Sequence, residues 1–204
     1  MGQITKITKE TDNKFVNLYS LDTIKKTGET SRYFVSSRAT AEADLKIRTR
    51  DDRPDGVMMV MLYGDENKAD KMVLIRQYRF PIDTFIYELP AGLVEKGEDY
   101  REAAVRETKE ETGFDLRLLD VDPSYEKAFY MTVGMTDECV SLVYGYASGD
   151  VKDQMLESGE EIEVVLADRE EAKRILKEEK LSMPAALAIM HFIASDKPFD
   201  FLNR

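Results

Sequence analysis

Between Gly92 and Gly113 the polar residues fall at fixed places: Glu98, Arg106, Glu107, Glu110 and Glu111. Glu107, Glu110 and Glu111 stand at i, i+3 and i+4, so on a helix their carboxylates project from one face. That clustering is unfavourable by itself: the Glu107/Glu111 repulsion costs about 0.2–0.5 kcal/mol, and packed carboxylates raise one another's pKa. A divalent cation reverses the penalty. Mg²⁺ takes oxygen ligands, keeps several waters and shares its shell with phosphates, so this fan of carboxylates points to hydrolysis at a diphosphate. Acidic runs are usually solvated helix faces, but seven specified positions at about 7% each match by chance only about once in 10⁸ starting positions.

The element that must carry these residues is a helix over 99–112, which has no interior Gly or Pro and is ended by Gly113. Thr108 should face its core side, with the hydroxyl bonding back along the helix. Alternating runs at 15–20 and 31–37 around Gly28 predict a hairpin, followed by a polar, mobile connection up to Asp55-Gly56. Strands are expected at 57–64, 72–79 and 84–90, leading straight into the acidic stretch. Further strands are expected at 115–122, 124–131, 139–147 and 162–167, the last preceded by an acidic loop over 148–161. Helices over 169–180 and 184–195 close the chain, the second apolar almost all round and so expected to be buried. Strands mixed with helices predict an α/β fold. The division expected is an N-terminal β region, 1–53, and a catalytic domain, 54–204.

The chain has 204 residues, 43% of them hydrophobic and 34% charged. No apolar run approaches the roughly 20 residues of a membrane span, and the start lacks the apolar core of a signal peptide, so no membrane partner and a cytoplasmic location are expected. The net charge of −11 argues against a nucleic-acid partner, whose backbone needs a basic surface. Cys139, the only cysteine, reads as buried filler, and His191, the only histidine, as a structural residue of the buried last helix. No serine nucleophile elbow, phosphate-binding glycine loop or zinc spacing is present.

The stretch resembles the signature of the Nudix hydrolase superfamily: a glycine, five residues, Glu, seven residues, Arg-Glu, an aliphatic, any residue, Glu-Glu, any residue, Gly, an aliphatic. Thr108 departs from it at the first aliphatic place, and Phe114 mildly broadens the last apolar one. The resemblance implies an α/β/α sandwich with a mixed sheet, plus a small N-terminal antiparallel sheet. Its flanks, Arg76 to Arg79 and Glu88 to Gly92, are similar to the pyrophosphatases of ADP-ribose and related nucleoside diphosphate sugars. That branch implies a homodimer whose N-terminal sheets are exchanged, with Phe15 and Tyr33 stacking on adenine and Arg38 and Arg79 on phosphate or sugar oxygens. Glu107, Glu110, Glu111 and the carbonyl of Ala91 would hold Mg²⁺, with Mn²⁺ as a substitute. Arg106 and Glu98 would support them, and Glu88 would lie at the periphery. The general base would be Glu160, with Glu157 and Glu161 as alternatives. The activity implied is hydrolysis of ADP-ribose to AMP and ribose 5-phosphate. Val133 stands where ADP-ribose members carry a proline, which leaves GDP-mannose or another nucleoside diphosphate sugar as the alternative. A non-catalytic sensor on the same fold is the alternative of another class, disfavoured because all three box glutamates are present.

Overall fold

The computed structural model describes residues 2–66, 68–156 and 161–203. In chain order the first elements are β1 (Gln3–Lys9), β2 (Asn17–Ile24), β3 (Thr30–Ser37) and α1 (Lys46–Thr49). Then come β4 (Gly56–Tyr63), β5 (Lys71–Arg79), β6 (Thr84–Glu88), β7 (Ala91–Leu93), α2 (Tyr100–Thr112) and β8 (Phe114–Leu118). The chain ends with β9 (Phe129–Tyr130), β10 (Cys139–Gly149), β11 (Ile162–Ala167), α3 (Arg169–Glu178) and α4 (Met183–Ala194). These elements form two compact units, Met1–Asp55 with Ala128–Val140, and Gly56–Lys127 with Ser141–Arg204.

In the first unit β1, β2 and β3 make an antiparallel sheet in that order. The β2–β3 hairpin is the one expected, and Gly28 takes φ 86° in its turn, a conformation open to glycine. Strand β1 escaped the sequence reading because Ile4 and Ile7 break the period of two, and the pairing does shift register between Ile4 and Lys6. Residues 39–53 are more than a mobile connection: they form α1, and Leu45, only 1% exposed, joins Ile7, Tyr19 and Leu21 in a core. Ala39 and Ile47 pack against the same core, so three apolar residues spaced among polar ones anchor the segment.

In the second unit the strands run β11-β5-β4-β10-β8, with β6 on β5 and β7 on β4. Period-two alternation sorts their side chains onto two faces. Val57, Met59, Met61, Val73, Val143 and Ala147 pack with Ala103 and Ala104 of α2. Leu62, Met72, Leu74, Tyr144 and Tyr146 pack with Ala172 and Ile175 of α3 and with Ala185, Ile189 and Phe192 of α4. A helix layer on each face is the expected α/β/α sandwich.

Three expectations in this region need correction. The strand over 124–131 is replaced by a 3₁₀ turn over Pro123–Tyr125 and the two residues of β9, because Pro123 cannot donate to a ladder and Asp122 caps the turn through Ser124 N–H. Helix α4 is not buried all round: Met183, Leu187 and Met190 are exposed on one side of it. His191 is exposed rather than buried, although its Nε2 lies 2.7 Å from the carbonyl oxygen of Pro198 and its ring meets Phe201 edge-on. Cys139 is fully buried as expected, and burial pushes its thiol pKa up.

Candidate active site

Helix α2 starts where Asp99 accepts a hydrogen bond from Arg101 N–H, and it stops where Gly113, at φ 75°, donates to the Lys109 carbonyl. Thr108 is fully buried, and its Oγ1 donates to the Ala104 carbonyl at 2.7 Å, the back-bond expected of it. With that face fixed on the sheet, the acidic face is fixed too. Glu111 is only 6% exposed, and its Oε2 accepts from Ala91 N–H at 3.0 Å. A buried carboxylate needs such donors, and β7 supplies one directly from the strand before the helix.

Glu107 depends on the absence of a side chain. A Cβ placed on Gly92 would lie 1.9 Å from Glu107 Cδ, so only glycine lets the carboxylate settle against β7. Arg106 gathers the rest. Its Nε donates to Glu98 Oε1 at 2.9 Å, Nη2 to Glu98 Oε2 at 3.0 Å, and Nη1 to Glu107 and Glu110 at 2.8 and 3.1 Å. A fifth contact, Nη2 to the Leu93 carbonyl at 3.0 Å, ties the same guanidinium to β7. Arg106 is held charged by Glu98 first and Glu107 next, against the opposing cost of burial, and Glu98 is held below the usual carboxylate range by Arg106 and by Glu95 N–H.

Beside this cluster Arg79 Nε donates to Glu88 Oε2 at 2.6 Å, which pairs two of the expected site residues with each other. Glu126 was not anticipated. It is 2% exposed, bonds Arg101 Nη1 at 2.5 Å and Tyr100 OH at 3.2 Å, and so fastens the first turn of α2. Nothing local marks it, since its partners lie 25 and 26 residues away.

In the first unit Phe15 is 67% and Tyr33 45% exposed, so neither belongs to the hairpin core. Tyr33 OH bonds the Gly134 carbonyl, and Lys14 Nζ sits 4.7 Å from the Phe15 ring centre. Arg38 forks onto Glu138 Oε1, at 3.2 Å from Nε and 3.1 Å from Nη2. The acidic run at 137–138 was the available signal for that pair. Glu160 and Glu157, the expected base and one alternative, lie outside the described residues, while Glu161 is exposed at the entry to β11.

Residues 52–187 match the NUDIX domain family, and the acidic helix with its glycine cradle lies inside that span. The chain belongs to the NUDIX family. Among relatives, it is 36% identical over 120 residues to a nudix hydrolase-named protein of Caenorhabditis elegans, covering 56% of this chain and 52% of that one. It is 31% identical over 123 residues to the ADP-ribose pyrophosphatase of Bacillus subtilis, covering 60% of this chain and 63% of that one. The chain thus spans about half to two thirds of the length of these curated relatives. A crystal structure of an ADP compounds hydrolase superposes with a TM-score of 0.66 at 18% identity, covering 95% of this chain and 92% of that one, which is a likeness of fold.

NUDIX hydrolases generally use divalent metal ions. Among the described residues no group of three or more His, Cys, Asp or Glu is arranged as it stands to hold a metal ion, and Glu107 and Glu110 both accept from Arg106 Nη1. The donor set nevertheless fits one. A cationic group already sits between two of the carboxylates, Gly92 leaves Glu107 room that a Cβ would fill, and every side-chain donor is a hard oxygen. No helix is long and apolar enough to cross a membrane among the described residues.

Proposed function

We propose that this NUDIX chain hydrolyses the diphosphate of ADP-ribose to AMP and ribose 5-phosphate, using Mg²⁺. The observation that carries this reading is the seating of Glu107 against Gly92 beside Glu111 clipped to Ala91 N–H, which converges two carboxylates on the end of β7. The name of the Bacillus subtilis relative supports the substrate. Glu107, Glu110, Glu111 and the Ala91 carbonyl would hold the cation. Bound there, it neutralises the diphosphate and lowers the pKa of the attacking water.

The chain's own residues do the rest. Arg106, retained by Glu98 through two hydrogen bonds and bonded to Glu107 and Glu110, would fix the direction in which those carboxylates face the cation. Arg79, freed from Glu88, offers a planar fork to a phosphate or sugar oxygen, and Arg38 does the same from Glu138. Phe15 and Tyr33 offer exposed rings for the base, within a homodimer, and Glu160 takes the proton of the attacking water. Val133, 69% exposed at the place of a branch proline, supports a second reading in which another nucleoside diphosphate sugar such as GDP-mannose is cut by the same residues.

Phosphate release in a coupled phosphatase assay, with Mg²⁺, across ADP-ribose, ADP-glucose, GDP-mannose and NADH separates these readings. Preference for ADP-ribose is expected. Preference for GDP-mannose keeps the residues and changes the substrate, while nucleotide binding without turnover would make the chain a sensor.

A further inference from the structure

Gln154 lies between a 3₁₀ turn over Val151–Asp153 and strand β11. Its carboxamide nitrogen donates to two carbonyl oxygens, that of Glu111 at 2.5 Å and that of Ile162 at 3.3 Å, so both N–H groups have acceptors. The next residue, Met155, donates its backbone N–H to the Glu110 carbonyl at 2.8 Å. Glu110 and Glu111 stand in the last turn of α2, where carbonyls find no partner inside the helix. Water could satisfy them at no cost in sequence. Instead a segment 43 residues further along the chain supplies the donors, and it does so at the two residues whose side chains form the acidic face.

Two physical consequences follow from that choice. Donors at the helix end offset the negative pole that would otherwise lie under three carboxylates. Glu111 is also gripped twice, at its carboxylate by Ala91 N–H and at its carbonyl by Gln154, which leaves its backbone little freedom to turn. We propose that Gln154 is a positioning residue: through the carbonyl of Glu111 it sets the geometry with which the acidic face of α2 takes a divalent cation, and it joins the start of β11 to that face. This rests on the reading of α2 as a cation site and adds a residue from outside the acidic stretch.

The test is Mn²⁺ titration followed by electron paramagnetic resonance, on wild type, Gln154→Met and Gln154→Glu, with amide hydrogen exchange at Met155 measured on the same samples. Gln154→Met removes both donors at nearly constant length, and Gln154→Glu sets a carboxylate against two carbonyls. The expected result is a Mn²⁺ Kd raised about tenfold in Gln154→Met and further in Gln154→Glu, with faster exchange at Met155. If Gln154→Glu does not fold, Gln154→Met decides alone. Wild-type affinity in Gln154→Met, even with faster exchange, overturns the inference, since Gln154 would then tether the chain without touching the site. A wild type that binds no Mn²⁺ overturns the cation site itself and the inference with it.

Discussion

Arg106 and Arg38 both bind carboxylates, but they find them in opposite ways. Arg106 reaches Glu107, Glu110 and Glu98, which lie one, four and eight residues away. Arg38 reaches Glu138, and its neighbours Ser37 and Tyr33 reach Asp137 and Gly134, all about a hundred residues along the chain. The acidic cluster of α2 is therefore organised by one helix and the strand beside it, and exists whenever that helix is docked. The network of the first unit exists only when two distant segments have met. Rigid, local placement suits groups that must hold a metal and a reacting bond. Exposed rings and single ion pairs suit groups that grip a ligand and let it go.

The sharpest way to break the comparison is to damage the local cluster. Glu111→Gln and Glu107→Gln should each lower turnover of ADP-ribose by about 10²–10³, measured as kcat by AMP release, with circular dichroism unchanged. Gly92→Ala should approach the same loss, about 10²-fold, because the new Cβ meets Glu107 Cδ at 1.9 Å and pushes the carboxylate off its place. A neutral Gly92→Ala would mean that the cradle does not matter. In the first unit, Phe15→Ala should instead raise KM about five- to hundredfold while kcat holds, since base stacking contributes about 1–3 kcal/mol. A fall in kcat alone would show that the two regions do not divide the work in this way.

Smaller effects sharpen the picture. Thr108→Val keeps the shape of a fully buried residue and removes one back-bond to Ala104, so thermal unfolding should report a loss of about 1 kcal/mol or less. Glu98 gives a pH signature. Its pKa in the folded chain lies below its ordinary 4.5, so its contribution to stability is fully present above 4.5 and is lost as pH falls through the folded value. Acid unfolding of Glu98→Gln should be less steep below 4.5 than that of wild type.

Locality also decides what the sequence made legible. The helix over 99–112, its Gly113 stop and the back-bond of Thr108 rest on neighbours within one or two turns, and all three are found. The strands that are near-continuous apolar runs, β4, β5, β10 and β11, are equally readable. What escaped depends on distant partners or on single residues. Strand β1 has its apolar residues out of phase, β7 is three residues long, and residues 39–53 are held by the scattered Ala39, Leu45 and Ile47. The burial of α4 was overestimated because an apolar composition does not say which side of a helix has a neighbour, and Met183, Leu187 and Met190 have none in the sheet. Glu126 and Gln154 serve α2 from 25 and 43 residues away, and no spacing rule connects them to it.

The central claim is that the acidic face of α2 hydrolyses a diphosphate with a divalent cation. Phosphorus NMR of ADP-ribose with Mg²⁺, before and after addition of wild type or Glu107→Gln, tests it most directly. The account predicts that wild type converts the diphosphate signals to those of AMP and ribose 5-phosphate, that chelation of Mg²⁺ stops this, and that Glu107→Gln leaves the diphosphate intact. Equal conversion by Glu107→Gln, or conversion that survives chelation, would contradict it.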